Sequence, residues 1–293
     1  MPEFVMTVGI SGSGKSRWCY NQHNIATDIV ADSDEIRREL WGDANDQQNP
    51  NKVFNEMFSR AKSALSNGHN VFYCATNLTM KYRIHTLNQI KRRFPDVRCR
   101  VVVFNTPLFI CKEWNKKRDR QVPEWLFARQ ACSFQPPVES EGWDAIEVIT
   151  PASYDVVSIS NRMWEDVDAA GSQDNPHHTL TLRQHLNKTI EVVENDKLSM
   201  EQFFNVLCAA ATHDIGKAYT RTYDENGIAH YYGHEGYGSY LAMNLKLPYR
   251  SVQLIAYHMY PYNQQAASVW EKRLGEQLWY EISILNRADK LAH

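Results

Sequence analysis

Apolar residues follow two different rhythms along this chain. In the first half, short β-rich runs at 5–8, 71–73 and 101–104 are separated by longer polar stretches of helical spacing, and a fourth run follows at 145–149. Such alternation predicts a parallel sheet covered by helices on both faces, with 145–149 closing it. After Ile159 the spacing changes. The stretches 186–193, 203–211, 237–245, 252–257 and 277–291 all repeat apolar residues at helical intervals. Between the halves lies a run of turn formers, AAGSQDNPHH, at 169–178. The boundary is therefore expected between about Tyr154 and Asn175, giving an α/β domain over 1–160 and an all-α domain over 170–293.

With 293 residues, 43% of them hydrophobic, the chain can fill two ordinary cores. Its six cysteines show no C-x-x-C spacing, which argues against a zinc knuckle or a disulfide framework. A glycine-rich loop follows the first strand at once, unlike a secretory signal, and no apolar run is long enough for a bilayer. The expectation is a soluble cytoplasmic protein without a membrane partner, in a bacterial host if the gene is a phage's. A formal net charge of −2 excludes a globally basic coat. Locally, residues 81–120 hold twelve Lys or Arg against three acids, a basic face suited to phosphates or a nucleic-acid end.

The strongest chemical signal is Gly9-Ile10-Ser11-Gly12-Ser13-Gly14-Lys15-Ser16, which fits G-x-x-x-x-G-K-S between a strand and a helix. Such a loop turns backbone N–H groups of Gly9, Ser11, Gly12, Ser13 and Gly14 toward phosphates, and the helix dipole adds to the attraction. Lys15 is expected on the β- and γ-phosphates of ATP and Ser16 on Mg²⁺. A second apparent strand ends in Asp32-Ser33-Asp34-Glu35-Ile36-Arg37. A carboxylate there can orient and deprotonate an acceptor hydroxyl, with Arg37 holding the acceptor's phosphate. The plainer reading is a helix N-cap at Ser33 or Asp34.

Together with Asp34 and Arg37, the P-loop, the stretch Cys74-Ala75-Thr76-Asn77-Leu78 and the run NKKRDRQVP at 115–123 resemble the polynucleotide 5′-kinase family of phages and RNA-repair enzymes. The segment 134–148 is similar to the family's closing strand. The resemblance implies Asp34 as general base, Arg37 on the acceptor's 3′-side phosphate, and Arg118 as a lid residue clamping the donor phosphates. Two positions depart from the family: Cys74 stands where many members carry Asp, and Trp114 replaces the first lid arginine.

The second half offers different chemistry. Adjacent His213 and Asp214 in the apolar stretch LCAAATHDIGK are costly to bury unless a metal or partner satisfies them. With His185, His234, His258 and Asp289 they could converge from separate helices on one or two divalent ions, leaving a water as nucleophile. The pattern resembles the HD phosphohydrolase superfamily, an all-helical fold, from His177 to Asp289. That resemblance implies a first metal on His185, His213, Asp214 and Asp289, a second ion or the scissile phosphate at His234 and His258, and Lys217 neutralising phosphate charge. Histidine and carboxylate ligands suit Mg²⁺, Mn²⁺, Ni²⁺, Co²⁺ or Zn²⁺ alike.

Both halves together imply an enzyme that heals RNA or DNA ends for a separate ligase. It would phosphorylate a 5′-hydroxyl and remove a 2′,3′-cyclic or 3′ phosphate. Two alternatives stand beside it: a kinase of a modified DNA base or free nucleoside with an HD nucleotidase, and a nucleotide-gated interaction protein.

Overall fold

In the computed structural model the described residues are 2–46, 48–118, 120–174, 179–195 and 197–292. Among them, the first rhythm forms β1 (Glu3–Val8), β2 (Asp28–Asp32), β3 (Asn70–Cys74), β4 (Arg98–Phe104) and β5 (Ala145–Ile149). All neighbours pair parallel in the order β2-β3-β1-β4-β5. Parallel strands need crossovers, here α1 (Lys15–Gln22), α2 (Ser33–Trp41), α3 (Pro50–Ser66), α4 (Met80–Arg93), α5 (Leu108–Lys116) and α6 (Glu124–Cys132). Central β1 is covered on both faces, so Phe4, Val5, Met6 and Val8 are fully buried, as its unbroken apolar run requires. Each such side chain contributes roughly 1.5–3 kcal/mol by leaving water. The carboxyl ends of β1, β2 and β3 carry the P-loop, Asp32 and Cys74 along one edge, and Asp32 pairs in register with Cys74.

A buried ion pair ties this unit together behind the site. Arg83 and Glu141 are both fully enclosed, joined by bonds of 2.9 Å from Nε and 2.5 Å from Nη2. Arg83 Nη1 also donates to the carbonyls of Asn77 and Leu78, and the Trp143 indole donates to Glu141. Arg83 therefore belongs to the interior rather than to the expected basic face.

The second rhythm forms α7 (Val156–Ala170), α8 (Leu182–Glu191), α9 (Met200–Ala210), α10 (Lys217–Thr220), α11 (His234–Asn244), α12 (Tyr249–Tyr257), α13 (Ala267–Leu274) and α14 (Glu276–Leu291). Capping boxes begin two of them, Thr181 with Gln184 and Ser199 with Gln202, and satisfy N–H groups that the first turn leaves open. Met163, Val167, Leu182, Leu186 and Ile215 pack a core between α7, α8 and the segment after α9. The unit is not wholly helical. A small antiparallel hairpin, β6 (Thr222–Tyr223) with β7 (Ala229–His230), turns where Asp224 accepts from the N–H groups of Asn226 and Ile228.

The chain divides into two compact units, residues 1–130 with 141–152, and 131–140 with 153–293. The passage at 152–153 falls just before the expected boundary at about 154–175. The excursion at 131–140 was not expected: it removes the start of the 134–148 stretch from the kinase-like unit. It is held by its own backbone carbonyls, since Tyr257 donates to Pro136 O while Tyr249 and Gln253 donate to Pro137 O.

Candidate active sites

In the first unit the P-loop runs from β1 into α1. Gly12 is in the left-handed region at φ 75°, and a Cβ there would stand 2.6 Å from the carbonyl oxygen of Cys111, so glycine is required. The loop is pinned from several sides. Gly9 N donates to Thr76 O, Thr106 Oγ1 donates to Ser13 O, and Gln130 of α6 accepts from Ser11 N at 2.7 Å while donating to Ser11 Oγ. Lys15 lies inside, with Nζ 2.7 Å from Ile10 O and 3.3 Å from Ser13 Oγ. Burial lowers its pKa, against the pull of Cys74, Cys111 and Asp34. Ser16 Oγ is 3.5 Å from Cys74 Sγ.

Asp34 lines the same cavity as the loop, in the first turn of α2. The N-cap of that helix is neither Ser33 nor Asp34 but Asp32, whose Oδ1 accepts from Asp34 N at 2.8 Å. The Asp34 side chain is thereby left for other work, and three guanidinium groups meet it. Arg37 is at 3.2 Å, Arg118 at 3.4 Å, and Arg120 in closer contact still. Burial pushes the Asp34 carboxyl up, but Arg120, Arg118 and Arg37 outweigh it and hold the pKa below the usual range. Arg118 and Arg120 are carried by a loop that Asn115 closes, its side chain exchanging two 3.0 Å bonds with the backbone of Val122. One cavity of about 1050 Å³ is lined by Lys15, Ser16, Asp34, Arg37, Arg118 and Arg120. Small-ligand pockets run to about 300–1,000 Å³, so this one has room for a nucleotide and part of an acceptor. Trp114 also lines it, its ring against Gly14.

The expected basic face largely dissolves into ion pairs. Among the described residues, eight of the twelve cations at 81–120 meet a carboxylate: Arg83, Lys91, Arg98, Arg100, Lys112, Lys116, Arg118 and Arg120.

In the second unit the histidines and aspartates converge. His185, His213, Asp214 and Asp289 place one donor atom each within 4.8 Å of one another, and Asp214 does the same with His234 and His258. Asp214 belongs to both groups. Its Oδ2 lies 3.4 Å from His185 Nε2 and 3.5 Å from His213 Nε2, and its Oδ1 lies 3.1 Å from His234 Nε2 and 3.6 Å from His258 Nε2. Lys217 Nζ sits 2.6 Å from Asp214 and 3.0 Å from Gln173 Oε1. His177, where the HD-like stretch was expected to begin, lies outside the described residues.

The ring orientations decide what this cluster suits. Each Nδ1 faces a backbone carbonyl: Ala292 for His185, Ala210 for His213, Tyr231 for His234 and Ile255 for His258. A carbonyl only accepts, so each Nδ1 carries the proton and each Nε2 turns a lone pair inward. Nε2 atoms then meet at 3.2 Å between His185 and His213 and at 3.4 Å between His234 and His258. Lone pairs and carboxylates at such distances repel unless a cation lies among them, so the donor set fits one or two divalent ions. Burial pushes the Asp214 carboxyl up, yet Lys217 and the neighbouring imidazoles hold it well below the usual range. Burial opposes a charge on His185, but Asp214 and Asp289 raise it to about 9, so protons compete for the same donors. Tyr262 donates to Asp289 Oδ2 at 2.7 Å and orients that ligand. Gly216 of the HDIGK stretch is a packing requirement, since a Cβ there would overlap the carbonyl of His234.

Sequence reading assigned no role to Arg120, Gln130, Tyr262 or Gln173. Only Arg120 left a trace, as the second cation of an R-x-R pair in the 115–123 run.

Comparison with known families agrees with the two halves. A model described as an AAA domain matches residues 4–137, and one described as an HD domain matches residues 183–293. No curated protein matches the chain. Among the described residues no helix is long and apolar enough to cross a membrane.

Proposed function

We propose that this chain, a P-loop kinase-like AAA domain fused to an HD domain, heals broken nucleic-acid ends. It transfers the γ-phosphoryl of ATP to a 5′-hydroxyl, of RNA by preference, and hydrolyses a 2′,3′-cyclic or 3′ phosphate. A separate ligase then joins the ends. The observation that carries the kinase half is Asp34 with Arg37, Arg118 and Arg120 in the cavity that holds Lys15 and Ser16. Arg37 adds to it: its Nε is buried without a hydrogen-bond partner, a donor left for an acceptor's phosphate.

Lys15 and the P-loop N–H groups hold the β- and γ-phosphates, and Ser16 binds Mg²⁺. Asp34 accepts a hydrogen bond from the acceptor hydroxyl. Its depressed pKa makes it a weak base, which suits a loose phosphoryl-transfer transition state where orienting the nucleophile matters more than early deprotonation. Arg118 neutralises charge developing on the transferred group. In the HD unit, His185, His213, Asp214 and Asp289 would hold one ion and Asp214, His234 and His258 a second. Bound divalent ions supply an activated water and polarise the phosphoryl oxygens. Lys217 offsets phosphate charge, and Tyr262 keeps Asp289 turned inward.

Incubation with ATP, Mg²⁺ or Mn²⁺ and a short RNA bearing a 5′-hydroxyl and a 2′,3′-cyclic phosphate tests both halves by product mass. Gain of a 5′-phosphate with conversion of the cyclic end to a free hydroxyl is expected. The self-pairing of the 81–120 cations favours one second reading, a free nucleoside or modified base as acceptor. Phosphorylation of nucleosides but not of the RNA would establish it and end the end-healing proposal.

A further inference from the structure

P-loop nucleoside triphosphatases hold magnesium between the loop hydroxyl and an aspartate carboxylate outside the loop. Here Ser16 supplies the hydroxyl, but β3, the strand beside β1, ends on Cys74. Cys74 Sγ is 3.5 Å from Ser16 Oγ, and sulfur is a soft donor ill suited to an ion that takes oxygen. The next strand outward ends on Asp32, which pairs in register with Cys74. Asp32 is 3% exposed and lines the same cavity as Lys15 and Ser16. Its Oδ1 caps α2 through Asp34 N, whereas Oδ2 makes no hydrogen bond or ion pair among the described residues. Arg37 attracts this carboxylate but makes no bond to it, so Oδ2 is left open in the cavity to a cation or to the water that a cation orders. Asp34 is the other acid near the loop, but Arg37, Arg118 and Arg120 already surround it, and their charge repels a dication.

We propose that Asp32 is the carboxylate that orders Mg²⁺ and its water at the nucleotide site, in place of an acid at the end of β3. The inference rests on the nucleotide-binding reading of the P-loop, and the test separates the two. Asp32→Asn in the full chain keeps an N-cap residue as good as aspartate while removing the charge. Mn²⁺ is titrated into protein with ATP, into protein alone and into ATP alone, and only the loss of the free paramagnetic resonance signal that needs protein and ATP together is assigned to this site, because the HD donors and ATP itself also take Mn²⁺. Affinity for Mn²⁺ should fall about 10- to 100-fold, the usual effect of losing a supporting ligand. ATP binding measured in EDTA should be unchanged. D32N binding Mn²⁺–ATP as tightly as the parent would reduce Asp32 to a helix cap and overturn the inference alone. A parent chain that binds no Mn²⁺–ATP would overturn the nucleotide-site reading with it. Should D32N melt early, Asp32→Ser, another good cap, enters the same titration with the same outcomes.

Discussion

Replacing Arg83 by methionine should damage the first unit severely although Arg83 does not itself line the cavity. The guanidinium is fully buried and holds Glu141 together with the carbonyls of Asn77 and Leu78. Arg83→Met leaves the Glu141 carboxylate enclosed without its counterion, which costs about 3–5 kcal/mol in comparable pairs. At roughly 3 °C per kcal/mol for a unit of this size, the melting transition should fall by about 10–15 °C. The same bonds steady the loop after β3, where Asn77 adopts φ 45° and Thr76 O accepts from Gly9 N, so the P-loop loses support too. Calorimetry on the full chain, with the first unit's transition identified by its upward shift on adding Mg²⁺–ATP, measures the effect. The double variant R83M/E141L removes both charges and should melt no lower than the worse single variant, because the penalty belongs to the unpaired charge. A single variant melting within about 2 °C of the parent, or a double variant showing the sum of both losses, would refute this account.

The other expectations concern the sites. Lys15→Ala should lower phosphoryl transfer at least about 100-fold while leaving HD hydrolysis unchanged, measured on the same protein with separate substrates. Arg120→Ala removes the foremost of the charges that hold the Asp34 pKa down, so that pKa rises. Protonation then begins at higher pH, and the ratio of variant to parent kinase rate should decline as pH falls from about 7 to about 5; a flat ratio would exclude Asp34 as the group affected. His234→Ala should halve the bound metal measured by elemental analysis, whereas Asp214→Asn, at the shared ligand, should remove most of both ions. Deleting residues 289–293 takes away Asp289 and the Ala292 carbonyl that fixes the His185 ring, so hydrolysis should vanish while kinase activity remains.

What could be read beforehand was local in sequence. The P-loop is eight consecutive residues, and His213 and Asp214 are neighbours in an apolar stretch, so their chemistry was visible without any fold. The parallel sheet was equally legible, since each buried strand is an apolar run. Partnerships across long separations were not. Nothing near Arg83 announces a carboxylate 58 residues away, and a run of cations looks the same whether it faces solvent or Asp144, Glu124 and Glu3. Asp32 and Asp34 look interchangeable in DSDE, and only the cap geometry separates them. The hairpin β6–β7 escaped because two residues per strand are too few to show a period.

Because of the excursion of 131–140, the two units cannot be separated by one cut. The polypeptide changes unit after 130, again after 140 and finally after 152. A cut near 153 would therefore free an HD fragment deprived of the Pro136 and Pro137 carbonyls that receive Tyr257, Tyr249 and Gln253, and of Phe134, whose ring meets Tyr240 edge-on. A cut at 130 would take β5 from the kinase-like sheet instead. No single break yields two whole parts. Recombination that exchanges one unit for another must also carry a ten-residue strip from the middle of its neighbour.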